Sequence, residues 1–382
     1  MISKIKIGFE AKRLFHNKTG LGNYCRNLVN QLSEFYPKNE YFLYNPQKKR
    51  KELFKPNNVN VLEKNPNSKL NKYFFNYWRQ FSITKDLKID NIDIFHGLSG
   101  EIPYGLKQNK IKSVVTIHDL IFMIYPDFYN FFDRKLHYFK FKKACNQSDH
   151  IIAITEQTKN DIIKFFDVNP NKISIIYQGC NNAFKIKYSE IQKEQIALKF
   201  NLPEKFVLNV GTIEERKNIF EVVKAIKEIK ETDIPLVIIG KKTKYSQNIE
   251  KYIIENNMQN QVFFLNGISI IELAIIYQLA TIFIYPSLYE GFGIPIIEAL
   301  FSKTPVITSN RSCLPEAGGP DSIYINPENS EDIKTALLSL WNDKSKREAI
   351  IDKGHNFVQK FNDEVIAKNI MDLYKKILTE NL

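Results

Sequence analysis

Residues 281–310 read TIFIYPSLYEGFGIPIIEALFSKTPVITSN. An apolar run, TIFIYPS, is followed by a polar loop, LYEGFG. Pro295 then sits where a helix accepts it, in the first turn. The helix has to be short, because the next apolar run, TPVITSN, begins at residue 304. Both runs are apolar on each face, as strands buried in a helix-covered parallel sheet must be. The stretch therefore predicts a β–loop–α–β unit.

The same alternation runs through the chain. In the first half, KIKIGF, YFLYN, VNVLE, IDIFHG, SVVTIHD, HIIAIT and KISIIYQG read as strands. In the second half, FVLNVG, PLVIIG, QVFFLNG, TIFIYPS, PVITSN and SIYIN do so. Helix-length amphipathic segments separate them. This pattern predicts an α/β protein with two doubly wound domains. A chain of 382 residues is too long for one core. The polar stretch 181–203 marks the junction, so the expected domains are 1–185 and 186–362. Residues 363–382 are expected to form a terminal helix. Its apolar residues Val365, Ile366, Ile370, Leu373 and Ile377 recur at helical spacing and need a surface to pack on.

The charge is uneven. Up to residue 185 there are 30 lysines and arginines against 16 acids; beyond it there are 24 against 26. The basic half is either a solvated lysine-rich surface or one drawn to an anionic surface such as lipid headgroups. Two segments, KLNKYFFNYWRQFSI (69–83) and DRKLHYFKFKKACN (133–146), mix aromatics with cations in the way interfacial helices do. A helix packed by its aromatic face with lysines in solvent explains them equally well. Nucleic-acid binding requires an aromatic–basic motif of a known fold, and none appears. Cys25, Cys145, Cys180 and Cys313 are scattered, which argues against a disulfide framework or zinc site and fits a reducing cytoplasm. No apolar run reaches the length of a membrane span. The expected location is cytoplasmic, with peripheral contact at the inner face of the membrane as the sharper reading of the basic half.

Ligands in open parallel sheets bind beyond the carboxyl ends of the strands. Four such turns carry unusual chemistry. Gly20 and Gly22 precede a helix, where backbone N–H groups can meet a phosphate; a plain helix entry is the simpler alternative. His118 and Asp119 directly follow an apolar strand; a satisfied buried histidine is the bland reading, and His16 and His96 are weaker candidates of the same kind. Arg216 and Lys217 follow another strand and can grip two phosphate oxygens, one as a fork and one as a point charge. They read as the opening of a helix, where cations oppose the dipole. In the fourth turn Glu290 and Glu298 flank Gly291, Phe292 and Gly293. Carboxylates accept pairs of hydroxyl hydrogens, and vicinal diols of a ribose or hexose supply such pairs.

SLYEGFGIPIIEAL resembles the two-glutamate signature of retaining GT-B glycosyltransferases that use nucleotide sugars, the glycosyl transferases of group 1. TGLGNYCRNL, VVTIHDLIF, NVGTIEERKN and TPVITSNRSCLPEAGG are similar to further segments of that family, in the same order. SNRSCLPE most resembles mannosyltransferase-like members that build surface polysaccharides. The resemblance implies two Rossmann-like domains facing a cleft, with acceptor on the first and donor on the second, and a terminal helix that packs back on the first. It implies that Arg216 and Lys217 hold the donor diphosphate and that Glu298 binds the ribose. It also implies that Glu290 with the Gly291–Phe292–Gly293 backbone binds the transferred sugar. Gly20 and Gly22 close on the phosphate, and His118 contacts the sugar near its reacting carbon. The nucleotide base is placed near Gly240 and the FFLNG turn. The implied reaction moves a hexose, as from GDP-mannose, to a glycan or lipid-linked glycan. No metal cofactor is expected, since no Asp-x-Asp occurs and two cations can take over its role. The alternatives are another GT-B sugar-nucleotide reaction, epimerisation or hydrolysis, or a basic nucleic-acid-binding protein.

Overall fold

The computed structural model describes residues 4–47, 53–56 and 58–380. Among the described residues thirteen strands form two sheets, and every strand pair is parallel. In the first sheet these are β1 (Lys6–Glu10), β2 (Glu40–Tyr44), β3 (Val61–Lys64), β4 (Ile94–Gly97), β5 (Lys112–Ile117), β6 (His150–Ala153) and β7 (Ile173–Ile175). In the second they are β8 (Val207–Val210), β9 (Leu236–Ile239), β10 (Val262–Leu265), β11 (Ile282–Tyr285), β12 (Val306–Ser309) and β13 (Ile323–Ile325). The orders are β3-β2-β1-β4-β5-β6-β7 and β10-β9-β8-β11-β12-β13. In each sheet the order reverses beside the first strand of its series, the switch point where doubly wound sheets bind ligands.

The chain divides into two compact units, residues 1–179 with 362–382, and residues 180–361. The division falls at Gly179/Cys180, ahead of the expected residue 185, because the turn Asn182–Lys185 packs within the second unit. There Phe184 meets the ring of Tyr277 edge-on at 5.4 Å.

In the first unit both sheet faces are buried, which explains why its strands read as continuous apolar runs. Ile7, Phe9, Tyr41, Leu43, Ile94 and Val114 face a core shared with helix Gly20–Phe35 and helix Asp363–Thr379. Phe42, Tyr44, Phe95, Val115 and Ile117 face the other core, with Trp78, Ile83 and Leu87. The terminal helix buries Ile366, Ile370, Leu373 and Ile377, each worth about 1.5–3 kcal/mol relative to exposure. Val365 does not join them. It stays exposed, and Ala367, Met371 and Tyr374 complete the buried stripe.

Buried polar bonds fix this unit further. His96 Nδ1 meets the Tyr374 hydroxyl at 2.6 Å and its Nε2 meets Thr116 Oγ1 at 2.7 Å. Thr116 in turn meets the Tyr24 hydroxyl at 3.2 Å. Burial drives the His96 pKa down to about 3, so it serves as a neutral linker between β4, β5 and the terminal helix.

The second unit packs Val207, Leu236, Ile238, Ile282, Ile284 and Ile307 against helices Ile219–Glu228, Ser246–Glu255 and Ser330–Trp341.

Candidate active site

The second unit gathers a compact ionic group at the ends of β8 and β11. After β8 the chain makes a three-residue 3-10 turn, Glu215–Lys217, and Asn218 in the left-handed region (φ 57°) starts the following helix. Arg216 and Lys217 therefore precede the helix Ile219–Glu228 instead of opening it. The expected conflict with the helix dipole does not arise, and the helix's first turn carries Glu221.

Both cations converge on one carboxylate. Lys217 Nζ lies 2.5 Å from Glu290 Oε1, and Arg216 Nη1 lies 2.9 Å from Glu290 Oε2. Arg216 also reaches Glu214 Oε1 at 2.7 Å and the Tyr289 carbonyl at 2.5 Å. The Tyr285 hydroxyl, at the end of β11, accepts from Lys217 at 2.5 Å and donates to Glu290 Oε1 at 3.1 Å. Burial pushes the Glu290 carboxyl up, but Lys217 and Arg216 overcome it and hold the pKa at about 2. The arrangement is a preorganised, nearly neutral cluster of two cations and two acids.

The glycine loop is pinned from behind. Ser312 Oγ donates to the Glu290 carbonyl at 2.8 Å, and Cys313 Sγ lies 3.1 Å from the carbonyls of Glu290 and Phe292. Phe292 is buried against Phe361, with ring centroids 5.4 Å apart. Gly293 has φ 109° as it enters the helix Ile294–Phe301, a conformation that favours glycine. Glu298 lies in that helix and accepts from the Tyr277 hydroxyl at 3.2 Å. Burial raises its pKa to about 7, so it is poised between charge states near neutrality. At the end of β9, Gly240 backs onto the Gly211 carbonyl; a Cβ there would stand 1.7 Å from that oxygen.

In the first unit, His118 follows β5 and is buried. Its Nε2 donates to the Leu98 carbonyl at 2.9 Å, and its Nδ1 meets Gln178 Nε2 at 3.2 Å. A carbonyl accepts only, so these partners fix the neutral Nε2–H tautomer. Burial lowers the pKa to about 4. Tyr24 packs edge-on against the ring at 4.6 Å. Gly20 and Gly22 both lie inside the first turn of helix Gly20–Phe35, where the sequence placed them in a preceding loop. Gly22 is needed for packing, since a Cβ would stand 2.0 Å from the Asn17 carbonyl oxygen; at Gly20 nothing lies within 4 Å. His16 hydrogen-bonds Asn45 at 2.9 Å.

Arg216, Lys217 and Glu290 are thus brought together, with Gly291, Phe292, Gly293 and Glu298 on the adjoining loop and helix. Sequence reasoning missed Tyr277, Tyr285, Ser312 and Cys313, which position these groups. Tyr285 stands at the end of a strand already singled out; Tyr277 lies on another helix, with no local signal. Among the described residues no cluster of three or more His, Cys, Asp or Glu is placed to hold a metal ion.

Two family descriptions match the chain. Residues 190–357 match the glycosyl transferases group 1, and residues 18–184 match glycosyltransferase family 4. The O-antigen chain mannosyltransferase RfbU of Salmonella typhimurium is 29% identical over 268 residues, covering 70% of each chain. The O-antigen chain mannosyltransferase B of Escherichia coli is 25% identical over 291 residues, covering 74% of each. Among solved structures, HepE of Anabaena in complex with UDP superposes with a TM-score of 0.72 at 13% identity, over 98% of this chain and 100% of that one. The fold is that of the GT-B glycosyltransferases, with two Rossmann-like sheets in one chain. The chain is a glycosyltransferase, with the group 1 family in residues 190–357 and family 4 in residues 18–184, and such enzymes take nucleotide-sugar donors and glycan acceptors.

Proposed function

We propose that this enzyme is a retaining hexosyltransferase that moves mannose from GDP-mannose to a glycan or lipid-linked glycan in surface polysaccharide synthesis. The observation that carries the reading is the cluster of Lys217, Arg216 and Glu290 beside the Gly291–Phe292–Gly293 loop. The similarity to two O-antigen mannosyltransferases supports mannose as the sugar.

In this reading the donor diphosphate takes Arg216 and Lys217, and Glu298 accepts the ribose hydroxyls. Glu290, freed from part of its ion pairing, accepts hydroxyls of the sugar. The bond between the anomeric carbon and the diphosphate oxygen breaks, and the two cations meet the charge that develops on the leaving oxygen. The acceptor oxygen bonds to the anomeric carbon on the face just vacated, and its proton passes to the departing phosphate oxygen. No divalent metal is required, because two fixed cations do that work. In the first unit, Gly20 and Gly22 are the residues proposed to meet a phosphate, and His118, with its tautomer fixed, the one proposed to meet a sugar.

The basic aromatic surface of the first unit supports peripheral contact with an anionic membrane. Leu70, Tyr73, Phe74, Phe132, Leu136 and Phe139 are exposed there among lysines. Among the described residues no helix is long and apolar enough to cross a membrane.

The test is transfer itself. The protein is incubated with GDP-mannose and a lipid-linked glycan in EDTA, and the product's anomeric configuration is read by NMR. A retained configuration is expected. An inverted product, or no turnover with any GDP-, UDP- or dTDP-hexose, overturns the reading.

A further inference from the structure

The first unit carries a second ionic cluster, apart from the residues the sequence assigned to the donor. Glu101, just past β4, accepts from Arg79 at 3.3 Å, Gln80 at 3.1 Å and Lys140 at 3.2 Å. Arg79 also donates to the buried Glu10, at the end of β1, at 2.9 Å. These two acids and two cations alternate and cancel.

Three more cations stand around the same strand ends: Lys12 two residues past Glu10, Arg13 on Ser99 and Lys143 on Tyr104, whose partners flank Glu101 in the chain. Lys12, Arg13 and Lys143 all lie within electrostatic reach of Glu101. Among the described residues none of the three has an ion-pair partner. Arg13 Nε donates to Ser99 Oγ at 2.8 Å, and the Lys143 ammonium lies over the ring of Tyr104. All three are partly buried, and burial lowers the Lys143 pKa to about 8. Gathering partly desolvated like charges is unfavourable unless an anion completes the site. The cluster stands at the carboxyl ends of β1 and β4, where the strand order reverses and ligands bind.

A separate feature borders it. Tyr77 stacks on Phe81 at 5.0 Å and Phe81 on Tyr104 at 4.8 Å, and all three are exposed. Tyr104 carries Lys143, so the uncompensated charge adjoins an aromatic surface of the kind that enters the headgroup region of a bilayer.

We propose that Lys12, Arg13 and Lys143 bind the phosphate groups through which a carbohydrate acceptor is joined to its lipid, with the Tyr77–Phe81–Tyr104 stack against the membrane. Arginine supplies a fork and the lysines supply point charges for the phosphate oxygens. The assignment rests on the reading of the enzyme as one acting on a lipid-linked acceptor, but it concerns residues the donor does not use.

Calorimetry with inorganic pyrophosphate tests it. Wild type is expected to show two classes of site. Lys217→Ala removes one, and the triple variant Lys12→Gln/Arg13→Gln/Lys143→Gln removes the other, with at least a tenfold loss of affinity. The single variant Lys143→Gln gives a partial loss and serves if the triple variant does not fold. Two unchanged sites in the triple variant and in Lys143→Gln, or a single wild-type site lost in Lys217→Ala, overturns the proposal. A Lys217→Ala protein that keeps both sites instead overturns the donor reading and leaves this one standing. Vesicles separate the sources of phosphate. Neutral phosphatidylcholine vesicles carrying a few per cent of a polyprenyl diphosphate should bind wild type more tightly than plain vesicles, and the triple variant should lose that gain. An equal gain from phosphatidylglycerol overturns the acceptor assignment.

Discussion

Lys217 Nζ lies 2.5 Å from Glu290 Oε1, and Arg216 occupies the other oxygen of the same carboxylate at 2.9 Å. Before any diphosphate arrives, its two proposed ligands are neutralised by the acid proposed to hold the sugar. Glu290 thus keeps a buried pair of cations affordable in the free protein. A diphosphate that takes the cations releases the acid for its second task.

Removing Glu290 exposes this double role. Glu290→Ala leaves two partly buried cations facing each other, which costs about 3–5 kcal/mol when one side of a buried ion pair is lost. The melting temperature should fall accordingly. GDP should then raise the melting temperature of the variant more than that of wild type, because it restores the missing negative charge. Equal shifts in the two proteins would count against diphosphate binding at Arg216 and Lys217.

Lys217→Ala should lower turnover about 100- to 1000-fold, the usual effect of removing one donor that meets charge developing in a transition state. Steady-state kinetics against donor concentration distinguish two roles. A fall in kcat marks help to the leaving group; a rise in KM alone marks ground-state binding. Near-normal turnover removes Lys217 from the proposed chemistry.

Glu298 should make donor binding depend on pH around neutrality. Its pKa is raised by burial to about 7, above the ordinary 4.5 of a glutamate. The folded state therefore holds this proton more tightly than the unfolded chain does. The associated stability is present below about pH 4.5 and is lost as pH rises through 7. The ionised form accepts two hydroxyls, so affinity for GDP should improve from pH 6 to pH 8. Glu298→Gln should flatten that profile and remove the corresponding slope in melting temperature. A wild-type profile with no inflection between those values argues against Glu298 as the ribose ligand.

Much of this was readable from the chain. All thirteen strands were legible because both faces of each sheet are covered, so alternate residues such as Tyr41 and Phe42 are both apolar. Lys217 and Glu290 were readable as residues that follow strands, but their meeting was not, since only the fold makes those strands, β8 and β11, neighbours. What stayed hidden depends on distance along the chain. Arg79 finds Glu10 across 69 residues, and nothing local in either segment announces the pair. Gly22 was readable as a glycine at a helix entry, but the packing reason for it, the Asn17 carbonyl against it, is visible only in the fold. His118 was readable as a strand-end histidine, but its partners Leu98 and Gln178 are each far away in sequence.

The buried histidines should dominate acid sensitivity. His96, His118 and His150 are held neutral by burial, with pKa values lowered to about 3, 4 and 4. Each ordinary histidine takes a proton near 6.5, so the unfolded chain binds protons that the folded one refuses. The stability they contribute is complete above pH 6.5 and is lost progressively as pH falls towards 4. Each contributes a slope of up to about 1.4 kcal/mol per pH unit in that window. Chemical denaturation at successive pH values measures it, and His150→Gln, which is remote from both proposed sites, should reduce the slope by about one proton's worth. A stability that stays flat from pH 6.5 to 4.5 contradicts the neutral, buried state of these rings.

Gly20 and Gly22 separate packing from ligand contact most cleanly. Gly22→Ala forces a methyl to 2.0 Å from a backbone oxygen and should cost several kcal/mol, at a level consistent with overpacking. Gly20→Ala meets nothing within 4 Å and adds a better helix former, so the fold should gain about 0.5–1 kcal/mol. The fold by itself gives no reason for glycine at 20. If the Gly20 backbone closes on a phosphate, Gly20→Ala should be stable yet transfer poorly, with the loss in kcat/KM for the donor. A variant that is both more stable and fully active assigns the position to ordinary helix entry and withdraws it from the donor site.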